Sequence, residues 1–404
     1  LAVGSDNALH VCFADDSRNT YYVKSDDGKT WGALENIWSN ANPVLPLGIA
    51  TIGIYPHIVY AQSDGAGSWQ LWHAEFDGAA WSGAAFAIES YTTIFCSNLH
   101  VDSSNKLHLI YSVGPSGGNY YIKHYTNQSG SWQVETLATS SGVGSYLIGS
   151  TIVGDTIHIL YRLNDEYYEI YGSWSSWTTT GLIDTAGFYT PTSISMDVYD
   201  SDKILACTVD DLNVAGSLEY IVKVFERDSG GNWSLETQII DDVNGWSPPI
   251  SYYRGKKRFV SAYEWAKNGS WDEVATVPSP WFLSQEVNYI TSTERAHALG
   301  LVRGDGNYDL YHYYRIYGSS SSSSVSSSSS SESSSSSSES SSSSATPLYA
   351  TTAWIVGISG NVNAAKQLAA GYSVTDDEVY SRFYQLGDWR IFRGMLVWDL
   401  SGQS

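Results

Sequence analysis

Five histidines occupy one repeated place in this chain: His10, His57, His108, His158 and His297 each sit just inside an alternating apolar run. Imidazole ligates transition metals and exchanges a proton near neutral pH, so the row raises both chemistries at once. Copies at one repeat position belong to successive units, however, and are held apart unless they line a common axis. The expectation is a shared structural hydrogen bond, from each ring to the backbone of the next unit. Carboxylate pairs come next, at Asp15 and Asp16, Asp210 and Asp211, and Asp241 and Asp242. Adjacent residues of an extended chain point to opposite sides, so none of these forms the facing pair of a glycosidase. The third set is aromatic and polar together. Trp38, Tyr91, Tyr146, Tyr189 and Trp246 fall in segments linking the units, and Asp15, Arg18, Arg162, Trp265 and Arg303 fall at or beside loops within them. Aromatic faces stack on the C–H face of a sugar while acceptors and donors take its hydroxyls, which makes these residues the glycan-binding candidates. No catalytic residue, metal set or cofactor motif is singled out. The acidic turn with Asp197, Asp200 and Asp202 lacks a full loop of calcium ligands and reads as a solvated hairpin.

What positions these residues is a repeat. From Asn7 to Ile37 an alternating run (Leu9 to Phe13) is followed by a polar loop, a second run (Tyr21 to Lys24), an Asp-Gly turn and a Trp opening a third. The His run returns in YPHIVYA, KLHLIYS, TIHILYR and RAHALGL, and without His in ILACTV and FVSAYEW. Trp31, Trp81, Trp132, Trp177, Trp233 and Trp281 open the later run, and a further strand precedes most of the His runs. Self-similarity at about fifty residues, with about four strands per unit, is the signature of a β-propeller. The expected fold is all-β: a seven-bladed β-propeller over residues 1–318, a polyserine linker over 319–346 and a partial β-sandwich over 347–404. The seventh unit has no Trp-led outer strand. That strand is expected to be absent, supplied from before Leu1, or borrowed from a neighbouring molecule, because a sheet edge left open invites pairing.

Composition narrows the partners. A formal charge of -21 with a pI near 4.6 argues against nucleic acid or an anionic membrane, both of which need Lys and Arg against phosphate. No apolar run reaches the ~18 residues of a membrane span. Cys12, Cys96 and Cys207 are scattered and odd in number, against a disulfide framework or metal spacing. The chain opens on Leu1 rather than Met, which leaves room for a processed signal or a missing N-terminal piece.

In the segment SDDGKTW, the residues Ser25, Asp27, Gly28, Thr30 and Trp31 resemble the Asp box of the bacterial neuraminidase repeat, found in sialidase-like propellers. This copy is one residue shorter between Asp and Gly than the commonest form. Asp77 and Gly78 with Trp81 keep its spacing, while Gly130 with Trp132 and Gly230 with Trp233 keep fragments. The motif has a structural reading: Asp accepts backbone N–H bonds across the turn, Gly takes a positive φ, and Trp fills the gap between neighbouring units. The resemblance implies that the boxes lie on the rim away from any active site. It also implies that an active member would need an arginine cluster, a Tyr nucleophile with a carboxylate partner, and an acid. Arg18, Arg162 and Arg303 fall in the first, fourth and seventh units, a poor match to that cluster.

Residues 319–344 are serine apart from Val325, Glu332 and Glu339, a composition that buries no core and acts as a tether. Beyond it, WRIFRGMLVWDLSG with Arg393, Gly394 and Asp399 resembles the opening of jelly-roll modules of extracellular and phage proteins, Trp398 replacing the usual Phe. Two incomplete sheets predict strand pairing between copies or with other surface proteins. The expected function is therefore a non-catalytic extracellular protein of a virion surface or bacterial exterior, a fibre or appendage subunit whose propeller grips glycans. The alternative is a secreted sialidase-like glycoside hydrolase or polysaccharide lyase with a C-terminal targeting module.

Overall fold

The computed structural model describes residues 1–14, 19–28, 30–39, 44–64, 68–89, 93–116, 118–141, 147–163, 166–185, 194–199, 202–214, 217–241, 250–253, 256–260, 263–268, 270–276, 282–290, 295–303, 308–316, 355–356, 384–386 and 388–390. Every regular element among them is a strand, and the strands form a series of four-stranded antiparallel sheets. In the first, Ala2–Val3, Leu9–Ala14, Asn19–Ser25 and Glu35–Ser39 pair in chain order. The second uses Val44–Ile52, Tyr55–Ser63, Trp69–Phe76 and Trp81–Glu89, and the third Thr93–Val101, Leu107–Ser116, Asn119–Thr126 and Gln133–Ser141. Leu147–Val153, Thr156–Leu163, Glu166–Ser173 and Ser176–Thr179 build the fourth, with Asp184–Thr185 as an extra pairing. The fifth runs through Ile194–Tyr199, Lys203–Val214, Ser217–Arg227 and Trp233–Asp241, and the sixth through Ile250–Tyr253, Lys256–Val260, Tyr263–Asn268 and Ser270–Thr276.

The seventh sheet corrects an expectation. Phe282–Ile290, Arg295–Arg303 and Tyr308–Ile316 are completed by Ile355–Val356, which pairs with Tyr313 and Tyr314. Its outer strand thus comes from the same chain beyond the serine run, neither missing nor borrowed. An edge strand's free N–H and C=O groups accept any extended apolar segment that reaches them. Of the C-terminal stretch, only this strand and the hairpin Tyr384–Leu386 with Asp388–Arg390 are described. The jelly-roll residues Arg393, Gly394, Trp398 and Asp399 and the serine run lie outside the described residues.

The first strand of each sheet lies beside the first strand of the next, from Ala2–Val3 through Val44–Ile52, Thr93–Val101, Leu147–Val153, Ile194–Tyr199 and Ile250–Tyr253 to Phe282–Ile290, which comes back beside Ala2–Val3. Side-chain bonds tie these neighbours at the repeat spacing: Thr51 Oγ1 donates to Val3 O (2.9 Å), Ser97 Oγ to Leu47 O (2.6 Å), and Ser195 Oγ accepts from Ile250 N (3.0 Å). The strands approach closely enough to need glycine. A Cβ at Gly48 would stand 2.6 Å from the Leu99 Cβ, and one at Gly149 2.7 Å from the Ile194 Cγ2. Gly48→Ala and Gly149→Ala are each expected to cost about 1–3 kcal/mol through overpacking, read as a lower urea midpoint. No loss in either variant would mean that the inner strands are free to spread.

Alternation sends each strand's residues to two neighbouring sheets. In the second sheet Ile58, Tyr60 and Ala74 pack with Tyr22 of the first, while Val59, Ala61 and Leu71 pack with Leu107, Leu109 and Tyr111 of the third. The core is therefore a succession of layers between sheets. Antiparallel order puts the loops between second and third strands, and the links between sheets, at one end; the Asp-Gly turns lie at the other.

Candidate functional site

Each described repeat histidine makes its key bond within its own sheet. His10 Nδ1 meets the Tyr22 hydroxyl at 2.7 Å, His57 Nδ1 meets His73 Nε2 at 3.1 Å, His108 Nδ1 meets His124 Nε2 at 2.9 Å, and His158 Nδ1 meets Glu169 Oε1 at 2.8 Å. The expected bond to the next unit's backbone is thereby corrected. Register explains it, since the partner always stands two residues before the one directly opposite the histidine, on the same face. In the fifth sheet the same two places hold Leu205 and Val224, both fully buried. Histidine and polar partner disappear together, as a buried pair requires. The next sheet then covers each pair with its repeated tryptophan. Trp81 packs edge-on against Tyr22, Trp132 against His73 and Trp177 against His124, while Trp233 Nε1 donates to Glu169 (3.0 Å). These histidines are buried joints between sheets, out of reach of a substrate that a general base must touch.

The Asp-Gly turn has equally structural geometry. Asp27 accepts from the Thr30 N–H (2.6 Å) and hydroxyl (3.1 Å), Ser25 Oγ donates to Thr30 O (2.7 Å), and Gly28 sits at φ 67°. Asp77 accepts from the N–H groups of Ala79 and Ala80, with Gly78 at φ 98°. Trp31 is buried, and the Trp81 Nε1 donates to Glu35 of the first sheet (2.9 Å).

Of the glycan-binding candidates, Asp15, Arg18, Tyr91, Tyr146, Tyr189 and Trp246 lie outside the described residues. The backbones of Trp265 and Arg303 are in strands opposite Glu273 and Tyr308, and their side chains are not described. Two candidates are placed in full, Trp38 and Arg162, and they stand in different sheets. Trp38 lies against Trp72 (centroids 4.7 Å apart) and Tyr60 (5.8 Å). Thr20 is directly opposite Trp38, and Gln62 is two residues beyond Tyr60 on the same face. Four buried polar atoms in this aromatic seam between the first and second sheets have no hydrogen-bond partner among the described residues: Thr20 Oγ1, Trp38 Nε1, Gln62 Oε1 and Trp72 Nε1. Buried polar groups are almost always satisfied, and here two donors, an acceptor and a hydroxyl lie together in one seam without that satisfaction. Burial pushes the Tyr60 phenol far above its ordinary value, so that hydroxyl stays neutral. Trp72, Thr20 and Gln62 escaped sequence reasoning. Gln62 carried one faint signal, a polar side chain on the inward alternation of YPHIVYAQ.

The fourth sheet holds a Tyr-carboxylate pair, the Tyr168 hydroxyl donating to Glu166. Glu166 raises the Tyr168 phenol above its ordinary value. Tyr168 and Leu163 pack with Tyr161 toward the third sheet. Arg162 is buried on the opposite face, across from Tyr167, which packs toward the fifth sheet. The pair and the arginine are separated by the sheet itself.

No family model matches the chain, and no curated protein matches it. Among solved structures, the Hadza microbial sialidase Hz136 aligns at 10% identity over 64% of this chain and 61% of its own, with a TM-score of 0.45. The chain thus spans less than two thirds of that sialidase. SapL1 lectin in complex with alpha methyl fucoside aligns at 14% identity over 69% of this chain and 95% of its own (TM-score 0.44). AofleA from Arthrobotrys oligospora aligns at 12% over 79% and 91% (0.45). These are likenesses of chain trace, and nothing about binding or catalysis passes from those proteins to this one.

Proposed function

We propose that the chain is a seven-bladed propeller acting as a non-catalytic carbohydrate-binding protein, displayed outside the cell or on a virion surface. The observation that carries the binding role is the open seam at Trp38 and Trp72. Two indoles tilted 40° to each other offer apolar faces, and two N–H donors beside Gln62 and Thr20 offer the directional bonds that a sugar's hydroxyls take. These atoms are buried, so seating a ring there requires the side chains that cover them to move outward. The acidic surface, the serine run and the chain-borne closing strand of the seventh sheet suit a tethered display module.

The test uses the substitutions Trp38→Phe and Trp72→Phe, which keep the stacking face and delete the donors. On a glycan array, the protein is expected to bind a defined set of sugars, and the double variant to lose about tenfold or more in affinity at unchanged fold. Equal binding by the variant, or no glycan bound by either, would sink the assignment and leave the four atoms to a buried water.

The hydrolase reading draws on the Glu166–Tyr168 pair alone. It requires turnover of a fluorogenic sialoside that Tyr168→Phe abolishes, and the placement of Arg162 on the far face counts against it.

A further inference from the structure

We propose that His57 Nδ1, His73 Nε2 and the Glu75 carboxylate form a binding site for a divalent transition-metal cation of the zinc class, at the end of the molecule that carries the Asp-Gly turns. His57 Nδ1 stands 3.1 Å from His73 Nε2 and 3.7 Å from Glu75 Oε2, and the three atoms all lie within 4.8 Å of one another. A tetrahedral ion with bonds of about 2.0–2.1 Å sets its ligand atoms about 3.3–3.4 Å apart, so the observed separations bracket what Zn2+ demands. Two imidazoles and one carboxylate are also a donor set that zinc accepts, with a fourth position left to water.

The repeat supplies its own controls. His57 faces Glu75 directly across the strand pair, with His73 two residues earlier on the same face. In the third sheet the same places hold His108, Thr126 and His124; there Thr126 replaces the carboxylate, and Asp102 and Glu135 stand 3.3 Å from the outer ring nitrogens, away from the pair's shared side. In the first sheet they hold His10, Lys24 and Tyr22, and in the fourth His158, Tyr171 and Glu169, whose carboxylate is engaged by Arg227. Among the described residues at these three places, the second sheet is the one that puts a carboxylate directly opposite its first histidine beside a second imidazole, and that carboxylate is half exposed. The rings are already oriented: they stack at 8° with centroids 5.3 Å apart, and Trp132 packs edge-on against His73. Metal entry displaces the proton that bridges the two rings to the far nitrogen of the ring that held it, so both imidazoles stay neutral and each offers a lone pair.

The decisive measurement titrates Zn2+ into the chelator-stripped full chain against a chromophoric competitor, with Co2+ as a spectroscopic stand-in. One equivalent is expected to bind, Co2+ to give four-coordinate visible absorption, and the melting temperature to rise with free Zn2+. Glu75→Gln and His73→Gln are each expected to weaken binding about tenfold or more. Asp26→Asn, which removes an exposed acid at the same end, is expected to leave it unchanged. Should His73→Gln fail to fold, Glu75→Gln carries the test, because its side chain supports no core. Absence of zinc uptake, or equal uptake in Glu75→Gln and the parent, would overturn the site and reduce the pair to another sheet joint.

Discussion

Glu169→Ala is expected to destabilise the protein by about 3–5 kcal/mol, the penalty for stranding buried partners of a removed charge. The carboxylate has no exposed surface. It accepts from His158 Nδ1 (2.8 Å), Arg227 Nε (2.9 Å) and Trp233 Nε1 (3.0 Å), so one side chain joins two strands of the fourth sheet to two of the fifth. Removing it leaves the Arg227 guanidinium buried over the Tyr171 ring (5.2 Å) without its carboxylate partner. Glu169→Gln keeps one acceptor oxygen and is expected to cost less, about 1–3 kcal/mol. Copying the fifth sheet's apolar pair with His158→Leu and Glu169→Val does not rescue the site, because Arg227 and Trp233 remain unanswered. Chemical denaturation read by tryptophan fluorescence ranks these variants. A cost below about 1 kcal/mol for Glu169→Ala would remove the carboxylate from its role as an inter-sheet joint.

Acid is expected to unfold the protein earlier than its carboxylates alone would dictate. Burial holds His10 and His100 down to about 4 and His124 down to about 3, against the ordinary 6.5. The unfolded chain therefore binds these protons first. Stability is complete above about pH 6.5 and falls as pH drops from there through the folded values, by roughly 2–3 kcal/mol per ring near pH 4. Three rings together approach the whole stability of an ordinary domain, about 5–15 kcal/mol. Melting temperature measured from pH 8 to pH 4 should drop steeply below pH 6. The double variant His108→Leu and His124→Val transplants the fifth sheet's apolar pair; Asp102 keeps the N–H groups of Ser104 and Lys106, and Glu135 keeps Ser175 and Trp177. It should unfold at a midpoint roughly half a pH unit lower. A melting temperature that stays level down to pH 4.5 would mean that these rings are hydrated.

The chain's repeat was enough to place the strands. Period-two alternation, turn glycines and a tryptophan returning at each unit are local signals, and a strand's hydrogen-bonding needs are met by its sequence neighbours in a meander. The Asp27 and Asp77 turns are local in the same sense, since the bonds these carboxylates accept span two or three residues. What joins one sheet to the next depended on register and face. The partners of His57 and His158 are set by which residue stands diagonally opposite across a strand pair, a relation that a one-residue slip would reverse. The open polar atoms of Thr20, Trp38, Gln62 and Trp72 come from two sheets that meet only when stacked, and Ile355–Val356 reached the seventh sheet from beyond the serine run. Sequence alone determined a succession of blades; tertiary packing decided which side chains face each other between them, because side-chain contact is fixed by distances in space that no repeat period encodes.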